Sequence, residues 1–277
     1  AVGSRRTSTA AKQAMGEMTM EYPQSAAPPG RVGIWIFLAS EIMFFMGLVG
    51  SYALFRYAEP ALFASQRGVM NQWMGGINTA ILVCSSFTMA MSVAAAASQN
   101  RRKLVVCLTA TILLAAGFLA IKGWEYRDKL THFTLVAHGS DGKMTVYDGH
   151  VHWHGRILIL DGYAAPRPDT SNWDIHLATE AQIRAMGDGV EREYDVPANS
   201  IVEEMNDGPW KNMFFGCYFL LTAVHAVHLI GGMIAVGVLL VIGARKKVLP
   251  AATEYVGVYW HFVDLVWIVL FVMLYLN

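Results

Sequence analysis

The chain has 277 residues and no net formal charge; 55% of its residues are hydrophobic and only 15% are charged. Soluble domains carry about 25% charged residues, so this composition excludes an ordinary water-soluble domain and points to a membrane protein. A neutral balance also gives no footprint for a nucleic-acid partner, and none is expected.

Residues 1–31 are polar, carry Arg5, Arg6, Lys12 and Arg31, and end in a Pro28-Pro29-Gly30 break. They read as a tail reaching a membrane surface. Arg5-Arg6 is followed by polar residues rather than an apolar core, so neither a cleavable nor a twin-arginine signal is expected. The first apolar run covers residues 32–56, and Glu41 is its one acidic residue, nine residues in. Burial there raises a carboxyl pKa, so the group is expected to be neutral or hydrogen-bonded to another helix. Residues 57–73 read as a loop. The second run, 74–97, opens with small and polar residues, Gly75-Gly76-Ile77-Asn78-Thr79, which suit close helix packing. A tight basic turn follows at 98–103. The third run, 104–123, exits at Lys122-Gly123-Trp124-Glu125-Tyr126, where Trp and Tyr also fit an aromatic interface belt. Cys84, Cys107 and Cys217 lie in apolar runs with no metal-site spacing and read as small buried hydrophobes.

Residues 127–209 change character. They hold fourteen acidic and seven basic side chains and six of the nine histidines. Short alternating runs at 133–136, 144–147 and 157–160, separated by Gly and Asp, predict hairpins, and 178–186 predicts one short helix. The result is a small, water-exposed, β-rich insert. Within it, His150, His152 and His154 alternate and fall on one strand face. They are candidate ligands for zinc or copper. One strand rarely converges three side chains on one ion, so a polar strand face is the competing reading.

The fourth run, 210–243, is longer than a bilayer's ~30 Å core at ~1.5 Å per residue and so must tilt or protrude. It carries His225 and His228 three residues apart. Haem ligation by this pair lacks a second ligand-bearing segment, whereas a hydrogen bond to a buried carboxylate or a lipid phosphate does not. After a basic turn at 244–255, the last run, 256–276, holds His261 and Asp264 three apart, on one helix face. An unpaired Asp at mid-membrane costs at least ~2.5 kcal/mol, so this helix must turn that face toward protein or headgroups.

These segments resemble a known family. Tyr259-Trp260-His261-Phe262-Val263-Asp264-Leu265-Val266-Trp267 is closely similar to the last-helix signature of subunit III of the haem-copper terminal oxidases. Thr222-Ala223-Val224-His225-Ala226-Val227-His228-Leu229-Ile230-Gly231-Gly232 resembles its two-histidine helix. Gly33-Ile34-Trp35-Ile36-Phe37-Leu38-Ala39-Ser40-Glu41-Ile42-Met43-Phe44-Phe45 resembles its helix with a membrane-buried carboxylate. The Asn78-Thr79-Ala80-Ile81-Leu82 string and the Glu125-Tyr126 pair resemble the same family. The likeness covers about residues 32–126 and 210–277 and leaves out the insert, where the family has a much shorter connection.

The resemblance implies an all-α membrane protein, a bundle of five transmembrane helices with the insert between the third and fourth. It implies a non-catalytic subunit of a proton-pumping complex that reduces oxygen to water. Haem and copper would lie in partner subunits I and II, with no cofactor in this chain beyond bound phospholipid. Glu41, Glu125, His225, His228, His261 and Asp264 would form the interior polar set, with Arg245 and Trp260 toward lipid. The tail and the two basic turns carry four, three and three Lys/Arg. The positive-inside rule therefore puts the N-terminus in the cytoplasm and the insert and C-terminus outside a bacterial inner membrane. The acidic insert either packs against another subunit or steers a basic cytochrome c. Two other readings stay open: an accessory protein of a nitric oxide reductase system, and a stand-alone proton channel or transporter using Glu41 and Asp264. The electron donor, cytochrome c or quinol, is not legible.

Overall fold

A computed structural model describes residues 29–66, 70–138, 143–154, 157–168, 173–245 and 248–276. The N-terminal tail before Pro29, Lys246 and Lys247 lie outside the described residues. By its contacts the chain divides into a unit ending at Ala39, whose described part is the start of the first helix, and a second unit, Ser40–Asn277, which holds every contact discussed below.

The helices are α1 (Pro29–Ala58), α2 (Pro60–Gln66), α3 (Gln72–Ala97), α4 (Arg101–Thr131), α5 (Glu180–Met186), α6 (Met213–Ala244) and α7 (Pro250–Phe271). Five of them, α1, α3, α4, α6 and α7, are long and apolar enough to cross a membrane, as the five hydrophobic runs predict. Three begin on an asparagine. The side chains of Asn71, Asn100 and Asn212 accept from the backbone N–H of Trp73 and Met74, of Lys103, and of Phe215, satisfying N–H groups that the helix leaves without partners. Gln99, at φ 54°, turns the chain sharply between α3 and α4.

Three expectations change. The segment 57–73 is not loop throughout, because Pro60 opens the short helix α2 and its Phe63 is buried. The helix α4 does not stop near Tyr126; it runs on to Thr131, held by Glu125 and Lys129, which are buried among aromatic rings. Cys84 faces outward on α3 rather than into a core.

The insert is a five-stranded antiparallel sheet, β1 (His132–His138), β2 (Met144–His154), β3 (Ile157–Pro166), β4 (Arg192–Pro197) and β5 (Ile201–Asn206), in the order β4-β3-β2-β1-β5. Val136 and Val146 are opposite one another, as are His132 and His150. By the period of two, this places His132, Thr134, Val136, Val146, Asp148 and His150 on a single face. Ile183 of α5 and Ile175 pack against that face. The three runs read as hairpins fall within β1, β2 and β3, and α5 lies inside the stretch read as a helix.

The helix bundle has one continuous core, in which Leu108, Phe118, Phe215, Tyr218, Trp260 and Trp267 are fully buried. At one end of it, Arg101 at the start of α4 donates to the carbonyls of Gly243, at 2.9 Å, and Ala244 at the end of α6. The two basic turns therefore share one end of the bundle. The sheet continues directly from α4 at the other end.

Candidate functional site

The interior polar residues form a seam along the bundle in three groups. The first joins α1 to α6. Glu41 Oε2 and His228 Nε2 are 2.9 Å apart. The other ring nitrogen of His228 donates to the carbonyl of Val224 at 2.8 Å. With Nδ1–H committed to a carbonyl, the Nε2–carboxyl contact carries a single proton, on oxygen or on nitrogen. Phe45 packs edge-on against the His228 ring and shields the pair, and Tyr259 of α7 donates to the His228 carbonyl at 3.0 Å.

The second group joins α3 to α7. His261 Nδ1 is hydrogen-bonded to Ser86 Oγ at 2.6 Å. Asp264, one turn on, is 4% exposed. Its polar neighbours are the hydroxyls of Ser85 and Ser86, yet neither carboxylate oxygen has a partner of full hydrogen-bond geometry among the described residues. Trp260 donates to Ser85 Oγ at 3.2 Å and is fully buried. This corrects the expectation that Trp260 meets lipid, because an indole enclosed by protein presents no surface to a headgroup. Arg245, by contrast, is exposed just past the end of α6.

The third group is the most tightly built, and two of its four members, both tyrosines, carry no signal in sequence. Lys122 Nζ lies 3.0 Å from Glu125 Oε2, and it donates to the hydroxyls of Tyr218 at 3.1 Å and Tyr275 at 2.6 Å. Both hydroxyls donate onward to Glu125 Oε1, at 2.9 and 2.6 Å. A cation, two phenols and a carboxylate thus close a ring drawn from α4, α6 and the π-helical turn Val272–Leu276 that follows α7. Lys122 and Glu125 are only 6% and 3% exposed. Rings of Tyr126, Tyr218, Trp267 and Tyr275 surround the ammonium within 6 Å of their centroids. Glu125 is thus enclosed within the bundle. Spacing along α4 would have paired Lys122 with Glu125, whereas the tyrosines lie 93 and 150 residues away from it.

His225 does not join His228. Its ring is fully buried, edge-on to Phe118 and tilted on Trp267, and neither nitrogen has a hydrogen-bond partner among the described residues. Three positions apart on α6, the two histidines share a face by spacing but meet different helices, α4 and α7 for one and α1 for the other.

Of the three strand histidines His150, His152 and His154, the structure describes the side chains of the first two. The His150 ring is edge-on to that of His132, across the β1–β2 ladder, with Nε2 3.6 Å from Asp128 Oδ1. His152 is exposed, and the His154 side chain lies outside the described residues. His132, which spacing did not single out, stands between two carboxylates. Its Nε2 is 3.5 Å from Asp148 Oδ2, and its Nδ1 is 3.5 Å from Asp207 Oδ2. Burial pushes the Asp148 carboxyl above its usual range, against the pull of His132 and Thr134.

The seam joins the helices through polar side chains, among them the Glu41–His228 and Ser86–His261 pairs. No protein-family model matches the chain. Curated proteins do. A probable cytochrome c oxidase subunit 3 of Nocardia farcinica is 28% identical over 247 residues, 88% of this chain and 86% of that one. The cytochrome c oxidase subunit 3 of Corynebacterium diphtheriae is 26% identical over 272 residues, 95% of this chain and 97% of that one. Subunit 3 of the cytochrome bo(3) ubiquinol oxidase of Buchnera aphidicola is 37% identical over 76 residues, 26% of this chain and 37% of that one. Over most of its length, and at modest identity, the chain is homologous to subunit 3 of the cytochrome c oxidases.

Proposed function

We propose that this chain is the non-redox subunit III of a proton-pumping terminal oxidase in a bacterial inner membrane. In this reading it binds subunits I and II, which carry haem and copper, stabilises subunit I and sustains proton uptake into it. The N-terminus is cytoplasmic, and the insert, about residues 127–209, and the C-terminus lie on the other side. The observation that carries the reading is the nearly full-length alignment with a protein named as an oxidase subunit.

The geometry supports a supporting role. Glu41, His228, His261 and Asp264 provide proton-holding groups between helices, and Glu125 anchors α4 to α6, while His225 fills the core between α4 and α7. Many apolar side chains of α1 face outward from the bundle, among them Met43, Met46 and Leu54, as suits contact with lipid or with a larger subunit. Arg245 meets a phospholipid phosphate at the inner surface.

The test is a mild-detergent purification of the tagged chain, followed by a reduced-minus-oxidised spectrum and a protein gel. Haem bands with two larger hydrophobic partners are expected. A colourless single chain overturns the reading and favours a stand-alone channel.

A further inference from the structure

The junction between the bundle and the sheet holds a cavity of about 690 Å³, lined among others by Asp128, His132, His150, Glu180 and Asp207. Into this region the β-ladder turns one face of β1 and β2, and α5 brings Glu180 at its first position. Ligand atoms of His132, Asp148 and Glu180 lie within 4.8 Å of one another. Asp148 is fully buried, and among the described residues neither its Oδ2 nor His132 Nδ1 has a hydrogen-bond partner.

A simple imidazolium between two aspartates accounts poorly for this. Both His132–carboxylate contacts are 3.5 Å long, whereas an N–H···O⁻ bond closes to about 2.8 Å. The 3.5 Å spacing is instead what two ligands of one tetrahedral ion require, since bonds of ~2.1 Å at the tetrahedral angle set their donors about 3.4 Å apart. The outer groups fit as well. Asp207 Oδ2 lies 3.5 Å from the far ring nitrogen of His132, on the side where an outer carboxylate of a metal-bound histidine sits, though beyond hydrogen-bond length. Asp148 keeps its other oxygen on Thr134 Oγ1 at 2.6 Å. Three cations also line the cavity: Lys211 pairs with Asp207 at 2.5 Å, Lys129 lies over the rings of Phe215 and Tyr218, and Arg184 lies over Tyr163.

We propose that His132 Nε2, Asp148 Oδ2 and a carboxylate oxygen of Glu180 bind one divalent transition cation of the zinc type, with water in the fourth position. The two carboxylates balance its charge. The ion ties the end of α4 and the β1–β2 ladder to α5, over a face that otherwise buries an unpaired carboxylate oxygen. Borderline N and O donors in tetrahedral array select zinc over calcium or magnesium, which take six or more oxygens.

The test uses the untagged full-length chain in detergent micelles, dialysed against Zn²⁺ and, separately, titrated with Co²⁺ as a spectroscopic stand-in. One ion per chain and an intense four-coordinate cobalt spectrum are expected. His132→Asn abolishes the spectrum, and Asp207→Asn weakens affinity about 10–100-fold, the usual cost of losing an outer-shell partner. Glu180→Gln, at an exposed position, weakens affinity at least about tenfold. His152→Ala, on the same strand but outside the cavity, leaves binding unchanged. Absence of saturable 1:1 binding, a pale six-coordinate cobalt spectrum, or binding indifferent to Glu180→Gln overturns the proposal, and the Glu180 variant decides the matter even if His132→Asn fails to fold.

Discussion

Glu41 on α1 and His228 on α6 meet at 2.9 Å across 187 residues of sequence, and this one contact ties α1 by a polar bond to the helix that carries two of the three bundle histidines. Glu41→Ala leaves His228 Nε2 without its partner beside Phe45. We expect a loss of about 1–2 kcal/mol, within the range for an interhelical hydrogen bond in a membrane. Equilibrium unfolding in detergent measures it. In the double variant with His228→Ala, the losses are not additive, because the second substitution removes a group already orphaned; a coupling above about 0.5 kcal/mol is expected.

The ring of Lys122, Glu125, Tyr218 and Tyr275 carries a sharper prediction. Removing one member of a buried ion pair strands the other charge, at a cost of about 3–5 kcal/mol, whereas replacing both with apolar or neutral groups of similar size is close to neutral. Lys122→Met should therefore be far more damaging than Lys122→Met with Glu125→Gln. The melting temperature of the detergent-solubilised chain ranks the variants. Equal damage in the single and double variants would show that Lys122 acts through packing of its stem alone.

At the opposite end, Arg101 caps α6 by donating to the carbonyls of Gly243 and Ala244. A helix leaves its last four carbonyls without internal partners, and a cation there also favours the helix dipole. Arg101→Ala is expected to fray the last turn of α6. Hydrogen exchange of the segment 239–245 should speed up by about tenfold, equivalent to roughly 1.4 kcal/mol of local opening, while exchange at the start of α6 stays unchanged.

The five spanning helices were legible because a membrane demands long apolar runs, and each run carries its own signal. The candidate polar residues were legible for the same reason: a His or Asp in such a run stands out. Their partners were not. Lys122 sits where an apolar run ends, and only the continuation of α4 through Thr131 encloses it. Tyr218 and Tyr275 look like ordinary aromatic core residues, and only the fold brings them to Glu125. In the insert, β1 to β3 announced themselves by alternation. The strands β4 and β5 are six residues each, carry four acidic side chains between them and showed no clear apolar period. His132, Asp148, Glu180 and Asp207 span 76 residues and meet only through the β1–β2 register and the docking of α5. The histidine triplet of β2 drew attention to metal chemistry, but its spacing pointed along one strand, whereas the convergent groups lie across three elements.

Two adjacent glycines on α3 test how closely the last turn is packed. A Cβ at Gly75 would fall 2.8 Å from Phe271 and 2.9 Å from Tyr275, whereas one at Gly76 meets nothing within 4 Å. Tyr275 cannot swing away freely, because its hydroxyl is bonded to both Lys122 and Glu125. Gly75→Ala should therefore destabilise by about 1–3 kcal/mol, the usual cost of overpacking. Gly76→Ala should be neutral or stabilise by up to about 1 kcal/mol, since alanine loses less chain entropy in a helix. Thermal unfolding of the two variants side by side makes the comparison, with each serving as the other's control for detergent and propensity effects. If the hydroxyl bonds are what hold the ring in place, Tyr275→Phe added to Gly75→Ala costs less than the two single losses combined, because a ring freed from Lys122 and Glu125 can shift to admit the methyl group. Strict additivity would mean that the surrounding apolar side chains alone fix the ring, and that the charged cluster and the α3–α7 contact are energetically independent.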